Sequence, residues 1–477
     1  MNVRRLILLS TVVSLIQLSA VVRAQTSNEN TTENTTENTT ENTTENTTEN
    51  TTEQSQADDP GLLEWRQWRG PLGTGASSTA KPPTKWSEAK NIRWKIALPG
   101  KGHSSPVVSG NRIYLTAAIP VGGKLVPQPE TAPGAHDNLL VYYRHQFAAI
   151  AVDRGTGKIL WQTELANTLP HEGGHNSGSL ASASPVTDGK HLYAYFGSQG
   201  LFCLDLNGKI VWKVNLGTMH TKHGHGEGSS PALYKDTIVV NWDHEKQSFI
   251  AAYDKSSGKQ LWKLDRDEVT SWATPIVVEH EGKDQLIVSG TERVRAYDLK
   301  TGKVIWQCGG LSHNIVATPI AADGMVFVAS SYEKQSLLAI RLAGAKGDIT
   351  NSKNVVWSRI RGTPYVPSPL LYKGSLYFLR HYQGILSRVD SKTGAEKIGP
   401  FRLGSLRDIY ASPVAADNRV YIVDRYGVTM VLSHEDESTV LAANFLNDSF
   451  NATPALVGKV IILRGERFLY CIAEDEE

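Results

Sequence analysis

The stretch AYDKSSGKQLW at 252–262 returns almost word for word as AYDLKTGKVIW at 296–306. AVDRGTGKILW (151–161), CLDLNGKIVW (203–212) and the decayed RVDSKTGAEKI (388–398) bring the copies to five. Before each stands a Ser-Pro or Thr-Pro followed by apolar residues in alternation. One unit therefore reads as a strand opened by proline, two further strands, a Thr-Gly-Lys turn and a fourth strand carrying Trp. Short strands repeating at this period make a β-propeller.

Alignment on the proline extends the count. Pro106, Pro185, Pro231, Pro275, Pro319, Pro369, Pro413 and Pro454 recur every 41–50 residues, apart from a first gap of 79 that holds an insertion at 118–146. Eight prolines predict an all-β, eight-bladed propeller of four-stranded antiparallel blades, with seven blades as the alternative. The last copy, NATPALVGKVIILRGERFLYCI, holds only three strands, whereas NIRWKIALP (91–99) has the Trp-strand pattern with no blade before it. That N-terminal strand should close the ring and remove its open edges. Proline at the first residue of a strand costs no ladder bond. Asp153, Asp205, Asp254, Asp298 and Asp390 can cap the turns, and Gly157, Gly208, Gly258 and Gly302 supply positive φ there. Trp161, Trp212, Trp262 and Trp306 each follow the glycine by four residues, which suits rings wedged between blades.

The chain divides into a signal peptide (1–24), a low-complexity leader (25–60), a lead-in (61–90) and the propeller (91–477). Arg4 and Arg5 precede an apolar run from Leu6 to Val22, and Val22-Arg23-Ala24 suits cleavage. A secreted or periplasmic protein follows, with no integral membrane domain after cleavage; without a Cys after the run, no lipid anchor is expected there. The leader repeats Glu-Asn-Thr-Thr, has no apolar residue from 29 to 53, and is expected to be disordered. Its Asn30, Asn34, Asn38, Asn42, Asn46 and Asn50 are formal glycosylation sequons. The leader is acidic and leaves the body mildly basic, but no dense basic run appears, so nucleic acid is not an expected partner. Cys203, Cys308 and Cys471 are an odd count, two of them in apolar strands, and no disulfide is expected.

The Ala-x-Asp-x-x-Thr-Gly-Lys-x-x-Trp phrase resembles the PQQ-like, or quinoprotein-type, propeller repeat over about residues 91–473. The lead-in WRQWRGPLGTGAS (65–77) is similar to that of many secreted bacterial proteins with these repeats. The resemblance implies two kinds of function: quinone-dependent dehydrogenation, or outer-membrane protein assembly as in the lipoprotein BamB. The dehydrogenases hold PQQ against an adjacent Cys pair, which this chain lacks, so PQQ is not expected, although Trp272 offers a face for a cofactor to stack on.

Loops that precede the prolines should gather at one mouth of the ring. They hold seven of the 14 histidines, together with Trp272, Tyr365, Tyr410 and Phe450. His223, His225 and Glu227 alternate on one glycine-flanked segment, and His171 and His175 stand in the neighbouring loop. These five are the candidate ligands for a transition metal such as zinc or copper; the alternative is a polar funnel whose histidines only hydrogen-bond. No catalytic set is recognisable, and Ser105, Ser184 and Ser230 belong to the repeated Ser-Pro. The sequence thus favours a monomeric, non-enzymatic binding scaffold for a protein, peptide or glycan. A metal- or PQQ-dependent oxidoreductase and a BamB-like assembly factor are the alternatives.

Overall fold

The computed structural model describes residues 60–474, save 128 and 405. The signal peptide and the leader up to residue 59 lie outside the described residues. Eight sheets form, each the blade of a propeller. The first comprises Val107–Ser109, Arg112–Val121, Arg144–Asp153 and Ile159–Thr168, in that order from the innermost strand outward. The eighth takes Ala455–Val457, Val460–Arg464 and Phe468–Ala473 from the C-terminal end, and Ile92–Ala97 pairs antiparallel with Phe468–Ala473 as its outer strand. The ring therefore has eight blades rather than seven and closes as expected. Blade four gains a fifth strand, Gly347–Asp348, lent by blade five. The insertion is partly strand: residues 118–121 and 144–146 extend the blade-one hairpin, and the loop proper is 122–143. Cys203, Cys308 and Cys471 are free and buried.

The Ser/Thr-Pro dipeptide does more than start strands. The N–H of Ser105 donates to Oγ of Ser184, that of Ser184 to Ser230, and the relay continues through Thr274, Thr318, Ser368, Ser412 and Thr453 back to Ser105. All eight bonds measure 2.9–3.1 Å. All eight residues are buried. Proline holds its predecessor in extended backbone, which keeps the hydroxyl aimed at the preceding blade.

A second contact joins blades further out. The indole N–H of Trp161 donates to Leu206 O, Trp212 to Lys255 O, Trp262 to Leu299 O, Trp357 to Ser391 O and Trp94 to Arg154 O, at 2.8–3.0 Å. Each acceptor sits in the next blade's outer turn. A Cβ on Gly258 would lie 2.8 Å from the Trp212 ring, and its φ is +69°, so shape and backbone both demand glycine. Trp306 departs from the rule: blade five's added strand covers it, and it donates to Gln285 of its own blade at 2.9 Å. The outer strands of blades six and seven, Glu396–Arg402 and Val440–Phe445, carry no Trp. Trp86 of the lead-in is buried in the core cluster that Ala442 packs against.

The lead-in crosses the inner strands. Trp65 pairs with Val108, and the Arg69 guanidinium donates to the carbonyls of Pro413 (2.9 Å), Pro369 (2.6 Å) and Thr74 (3.2 Å). Trp68 borders two cavities, of about 390 and 220 Å³, and Ser184 and Ser230 of the hydroxyl ring border both as well.

The hydroxyl ring can be tested at one link. Thr318→Val keeps the shape and leaves the buried Thr274 N–H without an acceptor, which costs about 1–3 kcal/mol. Thr318→Ser keeps the acceptor and drops one methyl, at about 0.8 kcal/mol. Denaturant midpoints that ranked Val level with Ser would remove the ring's energetic role.

Candidate functional site

The 390 Å³ cavity is the mouth anticipated from the loops before the prolines. It has two chemically different walls. On one side Tyr332, Tyr365, His381, Tyr382 and Tyr410 form a continuous ladder of rings, with successive centroids 5.7, 5.0, 5.4 and 5.6 Å apart. The Arg425 guanidinium lies over Tyr410 at 4.9 Å, and Arg407 over Tyr426 at 4.4 Å on the rim. Opposite stand His175, His225 and Trp272. The Trp272 indole donates to Gly226 O at 2.7 Å, which leaves its ring half-buried against the cavity. Among the described residues, no Lys or Arg lines the cavity, and its single carboxylate is Glu227.

The five candidate ligands fall into two groups. His175, His223 and His225 join His136 of the insertion, with ring centroids 4.8 Å (His175–His225), 4.8 Å (His136–His225), 5.0 Å (His136–His223) and 5.3 Å (His223–His225). Burial and the neighbouring imidazoles pull His225 down to about 4, so it is a neutral ring near pH 7. His171 and Glu227 lie apart from this group. His171 stands beside Glu172 and His220. Glu227 accepts from Ser198 N at 2.9 Å and from the Ser198 hydroxyl, and burial pushes its carboxyl up to about 7. A Cβ on Gly197 would strike this carboxylate at 1.6 Å, and Gly197 has φ +51°.

The insertion docks on the histidine side. Asn138 bridges to His175, its side chain donates to His223 O (2.7 Å), and Leu139 N donates to Gly174 O (2.9 Å). It covers that half of the mouth. His136, Tyr332 and Tyr382 were not among the residues singled out from sequence. They lie between the second and third strands of blades one, five and six. In an up-and-down blade that turn faces the same end as the connection into the next blade, so chain parity was the available signal.

The comparisons agree with this architecture. A family model described as outer membrane protein assembly factor BamB matches residues 146–398 and 246–474. The chain belongs to this PQQ-like β-propeller family. The outer membrane protein assembly factor BamB of Yersinia pestis is 22% identical over 336 residues, 66% of this chain and 76% of that protein. Tetrathionate hydrolase of Acidithiobacillus ferrooxidans is 25% identical over 314 residues, 62% of this chain and 53% of the enzyme, so the chain spans about half of that relative. The crystal structure of quinohemoprotein alcohol dehydrogenase from Comamonas testosteroni superposes with TM-score 0.59 at 11% identity, over 87% of this chain and 81% of that one, a likeness of fold alone. Among the described residues, no helix of this PQQ-like propeller is long and apolar enough to cross a membrane. The one carboxylate in the cavity lining among the described residues accepts from Ser198.

His103, also in the cavity, gives a pH prediction. Burial, reinforced by Arg464, Arg425 and Lys101, pulls it from 6.5 down to about 3. The unfolded chain then takes up this proton first, so the stability lent by neutral His103 is complete above about pH 6.5 and is lost as pH falls toward 3. The His103 ring should keep its neutral NMR shifts at about pH 5, and His103→Gln should flatten that part of the stability profile. A folded-state titration near 6.5 would contradict the assignment.

Proposed function

We propose that the chain is a monomeric, non-enzymatic binding module of the secreted or periplasmic space, which docks a segment of a partner protein in its mouth. The stacked tyrosine wall carries this reading. Tyrosines give large contact area at little entropic cost, and with arginine they dominate the energetics of protein interfaces. Here they line a concave cavity, Arg407 and Arg425 stand at its rim, and Tyr332 (44% exposed) and Tyr426 (50%) remain open to a partner. A cavity without lysine or arginine favours uncharged side chains from that partner. The family description and the Yersinia relative, named for outer membrane protein assembly, support a protein ligand. Arg4, Arg5 and the apolar run after them support export.

A more open recess of about 470 Å³ at blades four and five is a weaker candidate. It is lined by charged groups that pair with one another, such as His313 with Glu292 (3.7 Å) and Glu333 (3.8 Å).

Photo-crosslinking from a probe at position 332, followed by pull-down, tests the reading. A specific partner protein should be recovered, and Tyr365→Ala with Tyr410→Ala should weaken it at least tenfold at unchanged thermal stability. Recovery of no protein, with specific binding to a glycan array instead, would replace the protein ligand by a carbohydrate. Turnover of a substrate in the same cavity would end the non-enzymatic reading.

A further inference from the structure

We infer that His171, Glu172 and His220 form a site for one divalent transition-metal ion, zinc by ligand type, that ties the loop entering blade two to the loop entering blade three. One ligand atom from each residue lies within 4.8 Å of the others, the only such trio among the described residues. Two imidazoles and one carboxylate are a ligand set of open zinc sites, in which water fills the remaining position. Zinc holds such nitrogens and oxygens at about 2.0–2.2 Å. Side chains already this close, with His171 exposed and His220 half-exposed, need only rotamer adjustment to reach those lengths.

Two independent observations point to an ion. The first is a pattern of outer contacts that orient the ligands. Nε2–H of His171 donates to Met219 O at 2.6 Å, which leaves the lone pair on Nδ1. The Thr221 hydroxyl donates to Oε2 of Glu172 at 2.7 Å, and its N–H donates to Oε1 at 3.1 Å. A carbonyl behind the imidazole and a hydroxyl behind the carboxylate are what holds metal ligands in place. The second is the space left between the ligands: the His171 and His220 rings stand with centroids 5.6 Å apart. Oε1 of Glu172 stands 3.8 Å from Nδ1 of His220, too far for a hydrogen bond.

The other histidine group also turns ring nitrogens to carbonyls, Nδ1 of His136 to Gly134 O (2.8 Å) and Nδ1 of His223 to Pro133 O (3.0 Å), but among the described residues its ligand atoms do not converge within 4.8 Å as those of the trio do. It serves as the internal control.

The test uses the full chain, stripped with a chelator and titrated with zinc ion alone by calorimetry, then with cobalt(II) to read visible absorption. One ion per chain is expected, with tetrahedral cobalt bands. His171→Ala, Glu172→Gln and His220→Ala should each weaken binding at least tenfold, and the double change His223→Ala with His225→Ala should leave it within about twofold. Excess zinc should raise the wild-type Tm by mass action and leave that of the three variants unmoved. Glu172→Gln is nearly isosteric, so its metal-free Tm shows whether the fold is kept. No stoichiometric ion, or an affinity lost with His223 and His225 and kept in the three variants, overturns the site.

Discussion

Eight hydroxyls and eight amides around the axis set what every other part of this chain can do. Each Ser/Thr-Pro fixes its blade to both neighbours at once, because its N–H donates to one hydroxyl while its own oxygen accepts from the other side. The inner strands are only two to five residues long, too short to hold position through ladder bonds alone. A cyclic relay has no end, so no link frays without loss of both neighbours' geometry. The proline matters to its predecessor, which it restricts to the extended region where the hydroxyl reaches sideways. That two-residue device is repeated where a longer motif would have to be rebuilt in every blade.

Closure creates one seam, and the seam is stitched differently. The ring bond from Thr453 to Ser105 spans 348 residues. Beside it Arg464, fully buried, donates to Ser104 O at 3.1 Å and Thr116 O at 2.8 Å. Arg69 does the equivalent for the lead-in, at the carbonyls of Pro369 and Pro413. Burial pulls both guanidinium groups down to about 9. Each is held by carbonyl oxygens, and neither has a carboxylate within ion-pair distance among the described residues. Carbonyls at the seam are backbone groups whose strand partners run out; a long cationic side chain satisfies several of them together.

The parts of this fold that depend on repetition were legible in the sequence, and the parts that depend on geometry between repeats were not. Trp161, Trp212 and Trp262 could be placed between blades because their spacing from glycine is constant. The strand shared between 91–99 and the C-terminal end was legible because both halves keep their pattern. The acceptor role of Ser105 or Thr318 was not, because a serine before proline looks the same whether its hydroxyl points to solvent or to the next blade. At the mouth, Tyr365 and Tyr410 were visible before their prolines, while Tyr332 and Tyr382 lie in turns that break the pattern. His171 and Glu227 border one small void, and Glu172 directly follows His171, but His220, which completes the close trio, stands in the loop entering the next blade. Its approach is set by how two loops cross, which no single segment records.

The asymmetry of the mouth follows from the same parity that hid part of it. Both kinds of connection facing this end were free to vary, since the ring and the Trp–Gly contacts need neither. Blade one used its freedom to extend a hairpin, and the resulting loop carries His136 over to the loops entering blades two and three. Blades five and six used theirs to place Tyr332 and Tyr382 beside Tyr365 and Tyr410. The histidine side is thus covered and internally hydrogen-bonded, whereas the tyrosine side stays open. In the binding reading proposed above, the open aromatic wall is the face a partner meets first, and the histidine wall is the one on which the insertion docks.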